Sequence, residues 1–120
     1  MELRELGRID GAGHQPRICL GKASDKLASV CLTAPDKGGD VKDQSLQILN
    51  IIGDYFQSVG SSRKDILMVQ VWLFDISEYD AFCEVWNDWI DPEGVPALSV
   101  VTGHAARRDC AVEIRAYAAC

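Results

Sequence analysis

The chain has 120 residues, 48% of them hydrophobic and 25% charged, and 12 Lys and Arg against 18 Asp and Glu leave a formal net charge of −6. This length and balance fit a single globular domain over residues 1–120, long enough to bury a core without disulfide staples. The acidity, with no basic run beyond Arg107-Arg108, argues against a nucleic-acid partner, and no apolar run approaches the ~20 residues of a membrane span.

The first dozen residues, MELRELGRIDGA, are weakly patterned and read as a strand or arm that docks late. PRICLG and KLASVCLTA read as two short strands around a turn-like KASD, and PDKGGD is a loop by its Pro, Gly and Asp content. Asp40 suits an N-cap, with Asp43 in the first turn facing the positive end of the helix dipole. From Val41 to Val59, Leu49, Ile52, Phe56 and Val59 recur at helical spacing, Ile48, Ile51 and Tyr55 widen the stripe, and Gly60 is the expected stop. Gly53 inside the stripe costs about 1 kcal/mol of helix propensity, which close approach to a sheet would offset.

DILMVQVWLFDI is the strongest strand. Its nearly continuous apolar run suits a central strand covered on both faces, with Met68, Gln70, Trp72 and Phe74 sharing one of them. Ser77 is placed to cap a second helix, EYDAFCEVWNDWI, with Asp80 in the reciprocal capping position. Tyr79, Phe82, Trp86 and Trp89 form its apolar stripe, Cys83 and Ile90 lie beside it, and Pro92 and Gly94 end it. Two last strands, about Ala97–Thr102 and Cys110–Ala119, flank the polar GHAARRD. In the second of them Cys110, Val112, Ile114, Ala116 and Ala118 point one way, all apolar, while Ala111, Glu113, Arg115, Tyr117 and Ala119 point the other.

The order β-β-α-β-α-β-β, with two amphipathic helices and every strand in one sheet, predicts a two-layer α+β domain. Two helices cover one face of such a sheet. The other, carrying Glu113, Arg115 and Tyr117, then stands open unless another subunit packs on it, and association through the sheet is the expected outcome.

MELRELGRID lacks the apolar core of an export signal, so a cytoplasmic location with reduced thiols is expected. Cys19, Cys31, Cys83, Cys110 and Cys120 contain no CxxC pair, and His14 and His104 stand far from them at metal-ligand spacing. No disulfide, metal or other cofactor is expected.

Gln44, Leu49, Gly60-Ser61, the run DIL…VWLFDISEYDAFCEVWNDWI, the pair Pro96-Ala97 and the VEI of the last strand together resemble the RidA/YjgF family of small enamine and imine deaminases. The resemblance runs from PRICLG to the end of the chain. It implies the YjgF (chorismate mutase-like) fold, and a homotrimer whose sheets form a barrel-like core with ligand pockets in the clefts between neighbours. It further implies an arginine directly after the Pro-Ala pair to hold a substrate carboxylate in bidentate fashion. A glutamate in VEI would position water or share a proton. A Ser-Gly turn, an asparagine in the second helix and a tyrosine in an early Pro-Tyr pair would complete the cavity.

Matched residue by residue, Glu113 keeps the glutamate, but Leu98 stands where the arginine would be. Cys83 replaces the asparagine, Thr33 and Ala34 occupy the Ser-Gly turn, and Pro16-Arg17 replaces Pro-Tyr. Losing a charge clamp costs several kcal/mol of binding, so the usual small 2-imino acids are expected to be poor substrates unless Arg115 or Arg17 supplies the cation. Arg115 lies about 7 Å along the strand from Glu113, and pairing of the two is the plainer expectation. Glu113 is the candidate catalytic group, either as a general acid or base or as an interface ion pair. Leu98, Cys83, Arg115, Thr33, Ala34 and Arg17 are the candidate ligand contacts. Cys83 reads as a packed thiol rather than a nucleophile, and His104 with Arg107 and Arg108 as a solvated hairpin.

Three functions fit these residues: an enzyme acting on an enamine, imine or similar reactive intermediate of a catabolic or specialised pathway, a ligand-binding or regulatory trimer without turnover, and a structural surface. The first is preferred where the cleft is apolar and holds a carboxylate. The second is preferred where side chains fill it.

Overall fold

The computed structural model describes residues 2–120. Strands β1 (Arg4–Ile9), β2 (Ile18–Ala23) and β3 (Leu27–Thr33) are followed by helix α1 (Val41–Ser58), strand β4 (Ile66–Leu73), helix α2 (Tyr79–Trp89), and strands β5 (Ala97–Thr102) and β6 (Val112–Ala119). The weakly patterned N-terminal residues are thus a strand, held at the sheet edge by antiparallel pairing with β2. The spatial order β1-β2-β3-β6-β4-β5 places β6 between β3 and β4, antiparallel to both, and β5 runs parallel to β4 at the far edge.

The expected helix α1 is present with its cap. The Asp40 carboxylate accepts from the Asp43 amide at 2.9 Å, and Gly60, at φ +85°, takes the left-handed conformation that closes the helix. Ile48, Leu49, Ile52 and Phe56 are fully buried, and each contributes roughly 1.5–3 kcal/mol of apolar burial. They meet Val30, Leu32, Val69, Val71, Ile114 and Ala116 from the sheet below.

Four expectations change. Gly53 does not touch the sheet: a β-carbon there would lie 3.3 Å from the Trp89 ring and 3.4 Å from the Arg63 guanidinium, so it serves the approach of α2 to α1. Ser77 is not the cap of α2. It sits in a one-turn 3-10 helix over Ile76–Glu78, where the Asp75 carboxylate accepts from its amide at 2.9 Å and its hydroxyl at 2.7 Å. Those bonds hold the Asp75 carboxyl below its ordinary value. Helix α2 then starts on Glu78 with no side-chain cap, and Tyr79 is exposed rather than part of the buried stripe. Finally, β4 is covered on one face only. Its apolar run is continuous because a bulge between Ile66 and Met68 turns Leu67 outward, and because the open face itself carries Met68, Trp72 and Phe74.

The molecule is a slab of 44 × 43 × 20 Å, the thickness of one helix layer on one sheet. The alternation expected for the last strand holds: Cys110, Val112, Ile114, Ala116 and Ala118 are buried beneath the helices, while Glu113, Arg115 and Tyr117 look out from the uncovered face. All five cysteines are free thiols, and no helix among the described residues is long and apolar enough to cross a membrane.

Candidate functional site

At one end of the sheet β3 finishes beside the start of β6, with Thr33 directly opposite Glu113. Around this point the chain leaves a groove of about 660 Å³. The β3 end supplies Cys31, Thr33 and Ala34, β6 supplies Glu113, and α1 supplies Ile51, Asp54 and Tyr55. The β1–β2 hairpin adds Ile9, Ile18 and Leu20, with Ile9 and Ile18 paired across the strands. Two loops close the remaining side, one bringing Lys37 and the other Ala105, Ala106 and Arg107.

Gln44 joins those two loops. Although buried at 2% exposure, its amide is fully engaged. Nε2 donates to the carbonyls of Gly39 at 3.0 Å and Asp109 at 3.1 Å, and Oε1 accepts from the Ala111 amide at 2.9 Å. A third, longer contact reaches the Lys37 carbonyl at 3.4 Å. Asp109, at φ 63°, is the residue that turns the second loop back into β6. Gln44 was legible in the sequence as part of a resemblance but not as this strut, because its partners are backbone carbonyls of two distant loops.

The Cys31 thiol donates to Glu113 Oε2 at 3.8 Å. Desolvation at the groove wall and the charge of Glu113 push that thiol above its ordinary pKa, so at neutral pH it is a hydrogen-bond donor and not a nucleophile. Tyr55 is set by Gly7: at φ +65°, a β-carbon there would lie 2.7 Å from the phenol oxygen, so β1 passes directly over Tyr55.

Of the residues singled out in the sequence, Glu113, Thr33 and Ala34 come together in this groove. Arg115 does not join them, nor does it pair with Glu113. Its guanidinium lies over the Trp72 ring at 5.2 Å and the Tyr117 ring at 5.9 Å, a cation–π arrangement on the open face. Leu98 is paired with Val69, whose side chain faces the helices, so it lies on the opposite side of the sheet from Glu113. There it borders a shallow depression with Ile76, Tyr79 and Asp80. Cys83 packs against the core from α2. Arg17 is exposed ahead of β2, and its neighbour Ile18 lines the groove in its place. The GHAARRD segment is neither a hairpin, since β5 and β6 are not paired, nor simply solvated: His104 stacks on Phe74 with ring centroids 4.2 Å apart, and Arg107 reaches the groove. Among the described residues no three His, Cys, Asp or Glu side chains cluster as a metal site.

The family model for Endoribonuclease L-PSP matches residues 30–120, from within β3 to the end of β6, which contain all the groove residues beyond the first hairpin. The chain belongs to the RidA/YjgF family, the endoribonuclease L-PSP proteins. A RutC family protein of Haemophilus influenzae is 28% identical over 78 residues, covering 65% of this chain and 67% of the relative. One from Pyrococcus horikoshii is 32% identical over 80 residues, covering 67% of this chain and 63% of the relative. The crystal structure of a YjgF-family member from Neisseria meningitidis shares the fold with a TM-score of 0.86 at 23% identity, covering 99% of this chain and 95% of its own. Yeast Mmf1 does so with a TM-score of 0.80 at 16% identity, over 98% of each chain. Within this YjgF-family chain β5 opens on Ala97 of the Pro96-Ala97 pair, and Leu98 follows it.

Proposed function

We propose that this YjgF-family protein is an enzyme that acts on an enamine, imine or related reactive nitrogen intermediate, with Glu113 as the proton-transferring group. The observation that carries this reading is an open groove lined by Ile9, Ile18, Leu20 and Ile51 into which the same lining brings the Glu113 carboxylate. Side chains do not fill that groove, as a purely structural or regulatory role would allow. In the imine case water adds to the C=N carbon while Glu113 accepts its proton. The same carboxyl then returns that proton to nitrogen to give the carbinolamine; in a second transfer it takes the hydroxyl proton and delivers it to nitrogen as the C–N bond breaks, and the products are a carbonyl compound and ammonia. An enamine enters the same sequence after protonation at its β-carbon. With Leu98 carrying no charge and lying across the sheet from Glu113, the family's usual guanidinium clamp is absent from its place. The substrate is then an intermediate of a catabolic or specialised pathway other than the smallest 2-imino acids.

The nuclease in the family's description is not the reading favoured here. A formal charge of −6 opposes a polyanionic substrate. The uncovered sheet face supports assembly. Met68, Phe74 and Val101 are 39%, 54% and 41% exposed there, alongside Trp72 and Tyr117, and three copies packed through this face form the proposed homotrimer.

The test follows decay of imines generated in situ by amino-acid oxidation of leucine and phenylalanine, with wild-type protein and with Glu113→Gln. Wild-type protein is expected to accelerate hydrolysis, and Glu113→Gln to lower the rate at least ~100-fold while the fold is retained. Wild-type rates equal to the protein-free reaction for every imine would instead support a ligand-binding trimer without turnover.

A further inference from the structure

The β1–β2 hairpin is bonded to the domain at its root only. β2 pairs with β3 over Gly21–Ala23 and no further, although β1 and β2 go on pairing to Ile9 and Ile18, and β3 goes on pairing with β6 to Thr33 and Glu113. Beyond Gly21, therefore, β2 and β3 part. Both free ends line the groove, Ile18 and Leu20 from one and Cys31, Leu32 and Thr33 from the other. Among the described residues, every hydrogen bond and ion pair of residues 7–19 closes within the hairpin. Its residues from Gly7 to Ile18 are all exposed, and its hold on the core is the part-buried packing of Leu6 and Leu20.

The two strands cross the level of the root at Leu6–Gly7 and Leu20–Gly21, since Leu6 pairs with Gly21. Each therefore has a glycine there, a residue whose backbone tolerates the φ/ψ changes that a hinge absorbs. Gly7 already takes φ +65°, and a β-carbon on it would lie 2.7 Å from the Tyr55 phenol oxygen and 3.1 Å from Leu20, so the hairpin rests on these two side chains. On the root side Gly21 is tight against β3: a β-carbon there would lie 2.7 Å from the Ser29 carbonyl oxygen. Across the hinge run the Glu5–Arg8 ion pair at 3.1 Å and the donation of the Cys19 thiol to Glu5 at 3.4 Å. With the Arg8 and Glu5 side chains 54% and 40% exposed, the pair is screened by water and salt and makes a weak latch.

We propose that the hairpin from Gly7 to Leu20 is a flap that swings as one body about Gly7 and Gly21 on the microsecond-to-millisecond timescale, and that the structure shows it closed on Tyr55. The swing widens the gap between β2 and β3 and carries Ile9, Ile18 and Leu20 of the groove lining with it. The flap keeps its own ladder while it moves, because the Arg8–Cys19 and Ile9–Ile18 pairings lie beyond the hinge. Few buried apolar contacts and no bonds to the body of the domain place the hairpin at the low-stability end of the fold, from which lids are drawn. This device governs entry to the groove whether the molecule bound there reacts or not.

The test is amide-nitrogen relaxation dispersion on the intact protein without ligand, with deuterium exchange as a second readout. Amides from Arg8 to Leu20 should disperse with one common rate, while those of Val112–Ala118 in β6 stay flat. Leu20→Ala should raise the open population at least ~3-fold, seen as a larger dispersion amplitude along the whole hairpin. Gly7→Ala drives a β-carbon against the phenol without removing a core side chain and should act in the same direction. Combining it with Tyr55→Phe, which takes that oxygen away, should bring the amplitude part of the way back. Leu46→Ala, at an exposed position of α1, should disperse as wild type does. In every variant the β1–β2 ladder amides should keep their wild-type protection against deuterium. Flat dispersion along the hairpin, unrelated rates at its residues, or amplitudes unmoved by both Leu20→Ala and Gly7→Ala would overturn the flap. So would ladder protection that falls in step with the dispersion, since the hairpin then melts instead of swinging. The flap and the enzyme fail separately, because no substrate is present. Concerted dispersion in a protein without imine turnover removes the enzyme and keeps the flap, and a flat hairpin in a protein that hydrolyses imines does the reverse.

Discussion

Replacing Gln44 tests whether the groove is held together as the structure indicates. Gln44→Ala removes three well-formed hydrogen bonds at once, to the Gly39 carbonyl at 3.0 Å, the Asp109 carbonyl at 3.1 Å and the Ala111 amide at 2.9 Å. At about 1 kcal/mol net for each, the direct loss is about 3 kcal/mol. The residue is 2% exposed, so part of the stranded backbone remains shielded from water, and each such group adds about 1–3 kcal/mol unless water enters the cavity. A destabilisation of about 3–5 kcal/mol is therefore expected, a large share of the stability of a domain of this size. Gln44→Glu should cost at least as much, because a carboxylate in that place accepts from Ala111 but meets the Gly39 and Asp109 carbonyls with no donor. Urea denaturation at one fixed protein concentration measures the change, since association would make stability depend on concentration. Amide exchange at Ala111 localises it. A loss under 1 kcal/mol for Gln44→Ala, with the Ala111 amide still protected, would refute the strut.

The remaining predictions concern the uncovered face and the thiol in the groove. Light scattering at micromolar concentration should give about three chain masses for the wild type, and Trp72→Asp should shift that mass toward one chain, because Trp72 and the Arg115 guanidinium stacked on it occupy the middle of the open face. A wild-type monomer would remove the proposed assembly. Cys31 should react slowly with iodoacetamide near neutral pH despite its exposure, with the rate still climbing above pH 9, since burial and then the Glu113 charge raise its pKa. The sign is that of an acid whose neutral form the fold favours: stability from this thiol is present at low and neutral pH and is lost as pH rises through the raised pKa. Glu113→Gln should bring the reactive range down, and a rate plateau already reached below pH 8 would contradict the assignment.

Much of the architecture was legible because it is written in short-range patterns. The spacing of Leu49, Ile52, Phe56 and Val59, the Asp40 cap and the Gly60 stop define α1 from local residues alone, and the two-residue alternation from Cys110 to Ala119 states which face of β6 is buried. Where local chemistry had two answers, the choice fell to context. Asp75, only two residues before Ser77, outcompetes it as the acceptor for the turn that precedes α2, and a capping pattern in sequence cannot rank two such donors and acceptors.

The site depended still more on tertiary structure. Glu113 could be singled out from its motif, and Thr33 joins it through strand pairing. Arg107 stands six positions before Glu113 in the β5–β6 loop and Lys37 is separated from it by two helices and two strands, and nothing local to either pointed toward the groove. The fold decides their place through Gln44, whose single buried amide ties the ends of two loops that are 70 residues apart in the chain (Gly39 to Asp109). It also decides against Arg115 and Leu98. Arg115 finds the Trp72 and Tyr117 rings across neighbouring strands, and the parity of β5 sends Leu98 to the helix side. Composition and periodicity determine which residues are inside and which elements form. Which charges share a cavity is settled by strand order, parity and loop closure, because those bring together atoms that no spacing along the chain relates.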